Sequence, residues 1–154
     1  MSKFIFEMQS EGGRLSWRGI RYMLVRPETL IGLQRAVKND EAVAAGGFEG
    51  GKRTSAKLSE TMKGRHVAEA MASMGGDLGW GSFRLEKFDA NGFEMCVDAC
   101  AFAEAFGKSS APVCHYLRGV MAGLGTTLMG KATAVEKECA AAGGKTCRFE
   151  VKKG

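Results

Sequence analysis

The chain reads as an α/β (α+β) domain, an antiparallel sheet with helices packed on one side, and three patterns carry that reading. Phe83 and Leu85 alternate with Arg84 and Glu86, Asp89-Ala90-Asn91-Gly92 supplies turn chemistry, and Phe93, Met95 and Val97 alternate on the return, which is a hairpin. Leu117, Val120, Met121, Leu124 and Leu128 recur at helical spacing after Pro112, a residue tolerated at a helix start. After the Gly143-Gly144 turn, Cys147, Phe149 and Val151 alternate as the inward face of a final strand. Strand pairs beside amphipathic helices need a shared core, and a layered α/β domain supplies one.

The other elements follow in order. Residues 4–8 read as a strand, and Glu11-Gly12-Gly13 as a turn. Residues 14–25 are rich in β-branched and aromatic side chains and read as a second extended stretch, stopped by Pro27. A helix from Glu28 carries Leu30, Leu33 and Val37. Residues 44–51, with Gly46, Gly47, Gly50 and Gly51, read as a hinge or loop, and residues 54–74 as a second helix ended by Gly75-Gly76. Gly79-Trp80-Gly81 leads into the hairpin, and Phe102 to Phe106 form a short helix. Gly119 and Gly123 make a small-residue face on the helix of residues 112–129, read as a packing feature. The whole, 1–154, is one domain.

Composition excludes several function classes. The 154 residues are 45% hydrophobic and 25% charged, as in globular proteins. The net charge of +5 comes from Lys and Arg interleaved with Asp and Glu, with no basic block, so nucleic acid is not an expected partner. No apolar run reaches the length of a membrane span, and the start lacks a signal-peptide core. Five cysteines, an odd number without an export signal, point to reduced thiols and a cytoplasmic location.

Cys114, Glu136, Cys139 and Cys147 are candidate metal ligands. Glu136 and Cys139, three apart on a helix, would share a face. Three thiolates and a carboxylate suit zinc in a closed four-coordinate shell, which leaves no position for a catalytic water. The spacing alone equally permits five core cysteines and a solvated Glu136-Lys137-Glu138 run. A cluster with net negative charge needs positive neighbours, and His115, Lys137, Lys145 and Arg148 adjoin the four in sequence.

The run Pro112-Val113-Cys114-His115-Tyr116-Leu117-Arg118-Gly119, then Gly123, Glu136-Lys137-Glu138-Cys139 and Gly143-Gly144-Lys145-Thr146-Cys147-Arg148-Phe149 resembles the 4-vinyl reductase domain family. Arg26-Pro27-Glu28-Thr29-Leu30, Gly79-Trp80-Gly81 and Val97-Asp98-Ala99-Cys100 extend the likeness upstream. That family includes a bacteriochlorophyll-synthesis protein and the sensory domains of phenol- and xylene-responsive regulators. Its fold is similar to transport-particle subunits of the secretory pathway and to haem-based nitric oxide sensors. The resemblance implies a small-molecule-binding domain with a structural zinc on Cys114, Glu136, Cys139 and Cys147. It also implies a homodimer, since related folds assemble through helix faces. Nothing in the chain resembles the regulators' ATPase or DNA-binding parts.

A ligand pocket is expected between sheet and helices. Met62, Met71, Met74, Met95 and Met121 would line it, and thioethers adapt to irregular apolar ligands. The regulators hold the phenol hydroxyl with a His and a Trp, for which His66 and Trp80 are the candidates here. Cys96 falls on the opposite strand face from Met95, and Cys100 reads as core. The leading function is a sensor or carrier of a small apolar or aromatic molecule. An accessory protein or enzyme of tetrapyrrole chemistry and a dimerisation or docking subunit are the alternatives. Neither a phosphate-cradling loop nor a dinucleotide fingerprint supports catalysis.

Overall fold

The computed structural model describes residues 4–154. A short helix α1 (Phe4–Glu7) leads into a small antiparallel sheet of β1 (Gln9–Glu11), β2 (Arg14–Trp17) and β3 (Ile20–Tyr22). Three helices follow, α2 (Pro27–Val37), α3 (Asp40–Leu58) and α4 (Arg65–Asp77). The main sheet holds β4 (Ser82–Asp89), β5 (Gly92–Asp98), β6 (Ala132–Glu138) and β7 (Cys147–Lys153), in the order β4-β5-β7-β6, every pair antiparallel. Two helices, α5 (Ala101–Phe106) and α6 (His115–Met129), lie between β5 and β6 in the chain. The expected hairpin, the short helix and the α6 helix all form.

One sheet face is the core. Phe93 pairs with Val151, Met95 with Phe149, and Val97 with Cys147, all six buried beneath α6 and its neighbours. On the other face Arg84, Cys96 and Arg148 stand in a row across three strands, and Glu94 faces Glu150. Arg84 pairs there with Asp98 and Glu86, and Arg148 with Glu94 and Glu138. Cys96 is on that outer face yet fully buried, covered by its two arginine neighbours.

Several local expectations are corrected. Phe4–Glu7 is a helical turn and not a strand. Helical spacing puts Phe4 and Glu7 on one side of Trp17: the Phe4 ring packs edge-on at 5.2 Å, and Trp17 Nε1 donates to Glu7 at 2.9 Å. The stretch at residues 14–25 is broken into β2 and β3 by a turn through Arg18 and Gly19, both with positive φ.

The glycine-rich residues 44–51 are the middle of α3, not a hinge. A Cβ on Gly47 or Gly51 would collide with the backbone of α6 at Tyr116 and Val120, and one on Gly119 or Gly123 with that of α3 at Ala44 and Phe48. These glycines let two helix backbones touch, and that packing offsets the intrinsic penalty of glycine in a helix. Ser55 Oγ bonds Thr127 Oγ1 across the same interface at 2.7 Å. The expected helix at residues 54–74 is in fact two: α3 ends at Leu58, and Gly64, at φ 53, turns the chain into α4.

The last correction concerns Glu136, which lies on strand β6 rather than on a helix. Ala, Glu and Lys favour a helix locally, but Ala134 and Glu136 alternate with exposed Thr133, Val135 and Lys137, and pairing with β7 decides the outcome.

Candidate metal centre and ligand cavity

Four chain segments bring the candidate ligands together. Cys114 is the residue that opens α6, Glu136 comes from β6, Cys139 follows that strand, and Cys147 begins β7. On an even strand Glu136 and Cys139 would face opposite sides. A bulge between Glu136 and Glu138 resets the alternation, so both point inward. All four side chains are buried, and their ligand atoms lie within 4.8 Å of one another.

Their geometry fits a cation. Metal–sulfur bonds of about 2.3 Å put the edges of a tetrahedron at about 3.8 Å, and the Cys114 and Cys147 sulfurs are 3.7 Å apart. Glu136 Oε2 accepts the Cys114 backbone N–H at 2.9 Å, while Oε1 is buried with no hydrogen-bond partner. Burial pushes the Glu136 carboxyl above its usual range. A buried carboxylate oxygen left unpaired is costly unless something positive meets it. Cys100 adds a fifth thiol, 3.8 Å from Cys114. Hydrogen bonds from Cys114 and Cys147 hold Cys100 low, to about 3, and that thiolate in turn raises both partners. The crowded thiols therefore carry one negative charge readily and resist a second without a cation.

The surrounding charges are engaged elsewhere. His115 Nε2 sits 3.3 Å from Asp40, Lys145 N–H donates to Glu138 at 2.8 Å, and Arg148 pairs with Glu94 and Glu138. Neutral dipoles do the nearer work. Ala140 N–H donates to the Cys147 sulfur, and Gln34 reaches from α2 to bond the Val113 carbonyl at 2.8 Å, which holds the Cys114 segment.

A cavity of about 340 Å³ lies between α3, α4, α6, β5 and the segment after β3. Met71, Met74, Leu78, Trp80, Phe83, Met95, Leu117, Met121 and Leu124 form its apolar wall, with Tyr22, Thr54 and Tyr116 as its hydroxyl-bearing residues. Met23 and Leu24 stand at the rim, the latter 86% exposed. Trp80 is fixed edge-on against Phe102 at 5.6 Å and Tyr116 at 6.1 Å. Helix α6 joins the two sites, since it starts at Cys114 and lines the cavity with Leu117 and Met121.

Of the candidate ligand contacts, Trp80, Met95 and Met121 meet in this cavity, as do Met71 and Met74. Met62 lies half-buried in the α3–α4 connection, outside the lining. His66 opens α4 with its side chain 79% exposed, 3.3 Å from Glu69, also away from the cavity. Sequence reasoning passed over Tyr22, Thr54 and Tyr116. The inward alternation of Ile20 and Tyr22 was the one available signal for the first, and Thr54 and Tyr116 carried none.

This geometry has counterparts among known proteins. Residues 93–153 match the model of the 4-vinyl reductase domain. No curated protein matches the chain. The chain is similar to the crystal structure of the phenol-responsive sensory domain of the transcription activator PoxR with phenol, at 20% identity and a TM-score of 0.85, covering 98% of this chain and 87% of that one. It is also similar to a vinyl-4-reductase family protein from Methanocaldococcus jannaschii, at 19% identity and a TM-score of 0.62, covering 84% and 83%. At such identities the likeness establishes the fold. With the family match over the segment that holds all four cysteine and glutamate candidates, the chain belongs to the 4-vinyl reductase domain family.

Proposed function

We propose that this domain is a sensor or carrier that binds one small apolar or aromatic molecule in the cavity against α6, with a structural zinc on Cys114, Glu136, Cys139 and Cys147. The cavity carries the reading: about 340 Å³, at the small end of ligand sites, walled by methionine and aromatic side chains with few polar groups. The phenol-responsive domain that shares the fold adds support. The volume corresponds to about eleven waters at about 30 Å³ each, which suits one or two rings and is too small for a tetrapyrrole macrocycle. When bound, zinc supplies charge neutralisation and a cross-link between α6, β6 and β7; a full set of four protein ligands leaves it no catalytic position.

Two further features belong to this reading. Met23, Leu24, Leu33 and Val37 are large apolar side chains left exposed, and a homodimer would cover them. Five free cysteines suit the reducing cytoplasm, and among the described residues no helix is long and apolar enough to cross a membrane.

The test is a titration of the purified protein with single-ring aromatics, phenol and toluene, and separately with a porphyrin, followed by Trp80 fluorescence in a Trp17→Phe background. Saturable quenching by the single-ring compounds, with one zinc per chain in native mass spectrometry, is the expected result. Saturable binding of the porphyrin alone would overturn it in favour of tetrapyrrole chemistry.

A further inference from the structure

The hydrogen-bonding inventory of the cavity is one-sided. Among the described residues three buried side-chain polar atoms have no partner: Tyr22 Oη, Asp77 Oδ2 and Glu136 Oε1. The last belongs to the metal group, and Asp77 does not line the cavity. Tyr22 does, from the end of β3, with its ring held against Phe4 at a centroid distance of 5.8 Å. Thr54 lines the wall beside it. Leaving a buried hydroxyl unpaired is unfavourable, so its position in an apolar wall calls for an occupant that completes the bond.

The neighbouring groups set the direction of that bond. An indole N–H can only donate, and no hydrogen bond within the described chain engages Trp80 Nε1. The lining contains no histidine, carboxylate or side-chain amide that would serve as a dedicated acceptor for a ligand hydroxyl. Arg21 is the one charged residue there. It is exposed and donates to the Gly13 carbonyl at 3.5 Å, so it lies at the edge and not in the apolar interior. Burial raises the Tyr22 hydroxyl above its ordinary value, against a smaller opposing pull from the nearby Thr54 hydroxyl, which keeps the donor proton in place at neutral pH.

We propose that Tyr22 is the specificity-determining donor of this cavity, which selects a neutral one- or two-ring molecule bearing a hydrogen-bond acceptor, such as an aryl ketone, aldehyde or ether, over a hydrocarbon of the same shape. The inference rests on the reading of the cavity as a ligand site. It differs from a histidine-based grip on a phenolic hydroxyl, because here the protein gives the proton and the ligand receives it. Discrimination arises from both ends of the bond: a hydrocarbon leaves Tyr22 Oη buried and unpaired, whereas a carbonyl satisfies it.

Acetophenone and isopropylbenzene are the probes, nearly equal in shape and differing in the acceptor. Each is titrated into the full chain by displacement of an environment-sensitive apolar dye. The wild-type protein should prefer acetophenone by about tenfold, and Tyr22→Phe should abolish the preference while leaving isopropylbenzene affinity within about twofold. Tyr22→Phe keeps the ring that packs on Phe4, so the fold is retained. A second readout is the infrared carbonyl stretch of bound acetophenone, which should shift to lower frequency in the wild type and return toward its apolar-solvent value in Tyr22→Phe. A structural role for Tyr22 would not move it. Equal affinities in the wild type, or a preference and a band shift that survive in Tyr22→Phe, overturn the proposal while the cavity reading stands. Failure of both probes to bind overturns the cavity reading and the proposal with it.

Discussion

Glu136 on the edge strand β6 accepts a 2.9 Å hydrogen bond from the backbone N–H of Cys114, the residue that opens α6, and its second oxygen is left buried and unpaired. One carboxylate thus ties the sheet edge to the helix start and turns a free acceptor toward three thiols. If that oxygen is a metal ligand, Glu136→Gln should keep the bond to Cys114, through the amide oxygen, and still weaken zinc. Competition with a chromophoric chelator should show at least a tenfold loss, about 1.4 kcal/mol. Glu136→Leu should in addition destabilise the metal-free protein by about 1–3 kcal/mol, because the Cys114 N–H loses its partner. Unchanged zinc affinity in Glu136→Gln would remove Glu136 from the ligand set.

Metal removal should be a folding event. Binding free energy at a structural site is folding free energy, so Cys139→Ser and a strong chelator should each lower the melting temperature and loosen the segment from β6 to β7 in hydrogen exchange. Cys96→Ser is the control. Cys96 sits on the outer face between Arg84 and Arg148, away from the cluster, and should keep one zinc per chain. Equal zinc loss in both variants would mean that the thiols act through packing alone.

The α3–α6 contact predicts opposite effects for two glycine-to-alanine changes, one on each helix. Gly119→Ala drives a methyl group into the Ala44 backbone, which cannot rotate away, and should cost about 1–3 kcal/mol by urea unfolding. Gly46→Ala meets open space in the same helix pair and should stabilise by about 0.5–1 kcal/mol. Destabilisation at both sites would argue against the close helix contact.

The two tyrosines of the chain, Tyr22 and Tyr116, both line the cavity and both are raised by burial. A group raised above its unfolded value contributes stability that is present below the unfolded pKa, about 10, and lost as pH rises through the folded value. Tyrosinate absorbance in the native protein should therefore titrate above about pH 10, and unfolding free energy should fall as the pH passes that value. Native titration at or below it would show both hydroxyls open to water.

The legible parts of the fold were those in which local pattern and tertiary environment agree. The β4–β5 hairpin has Asp89 to Gly92 as its turn and alternating apolar residues on both strands, and α6 has its apolar stripe. The hinge reading of residues 44–51 failed because glycine has two opposite meanings: in isolation it loosens a helix, and against a second helix it permits contact. The partner glycines, Gly119 and Gly123, were seen and read as packing, but the α3 backbone they pack against is distant in sequence.

At the site, the sequence by itself determined which residues can hold a metal, because thiolate and carboxylate chemistry belongs to the side chain whatever the backbone does. It also determined the methionine and aromatic supply from which an apolar cavity is built. Only the tertiary structure decided how those groups face one another. Glu136 and Cys139 converge through a bulge in a paired strand and not through a helical turn. His66 faces outward while Tyr22, from a different sheet, turns its hydroxyl into a buried position. The reason is physical: side-chain chemistry is local, whereas the face on which a side chain emerges is set by strand pairing and helix contact between segments far apart in the chain.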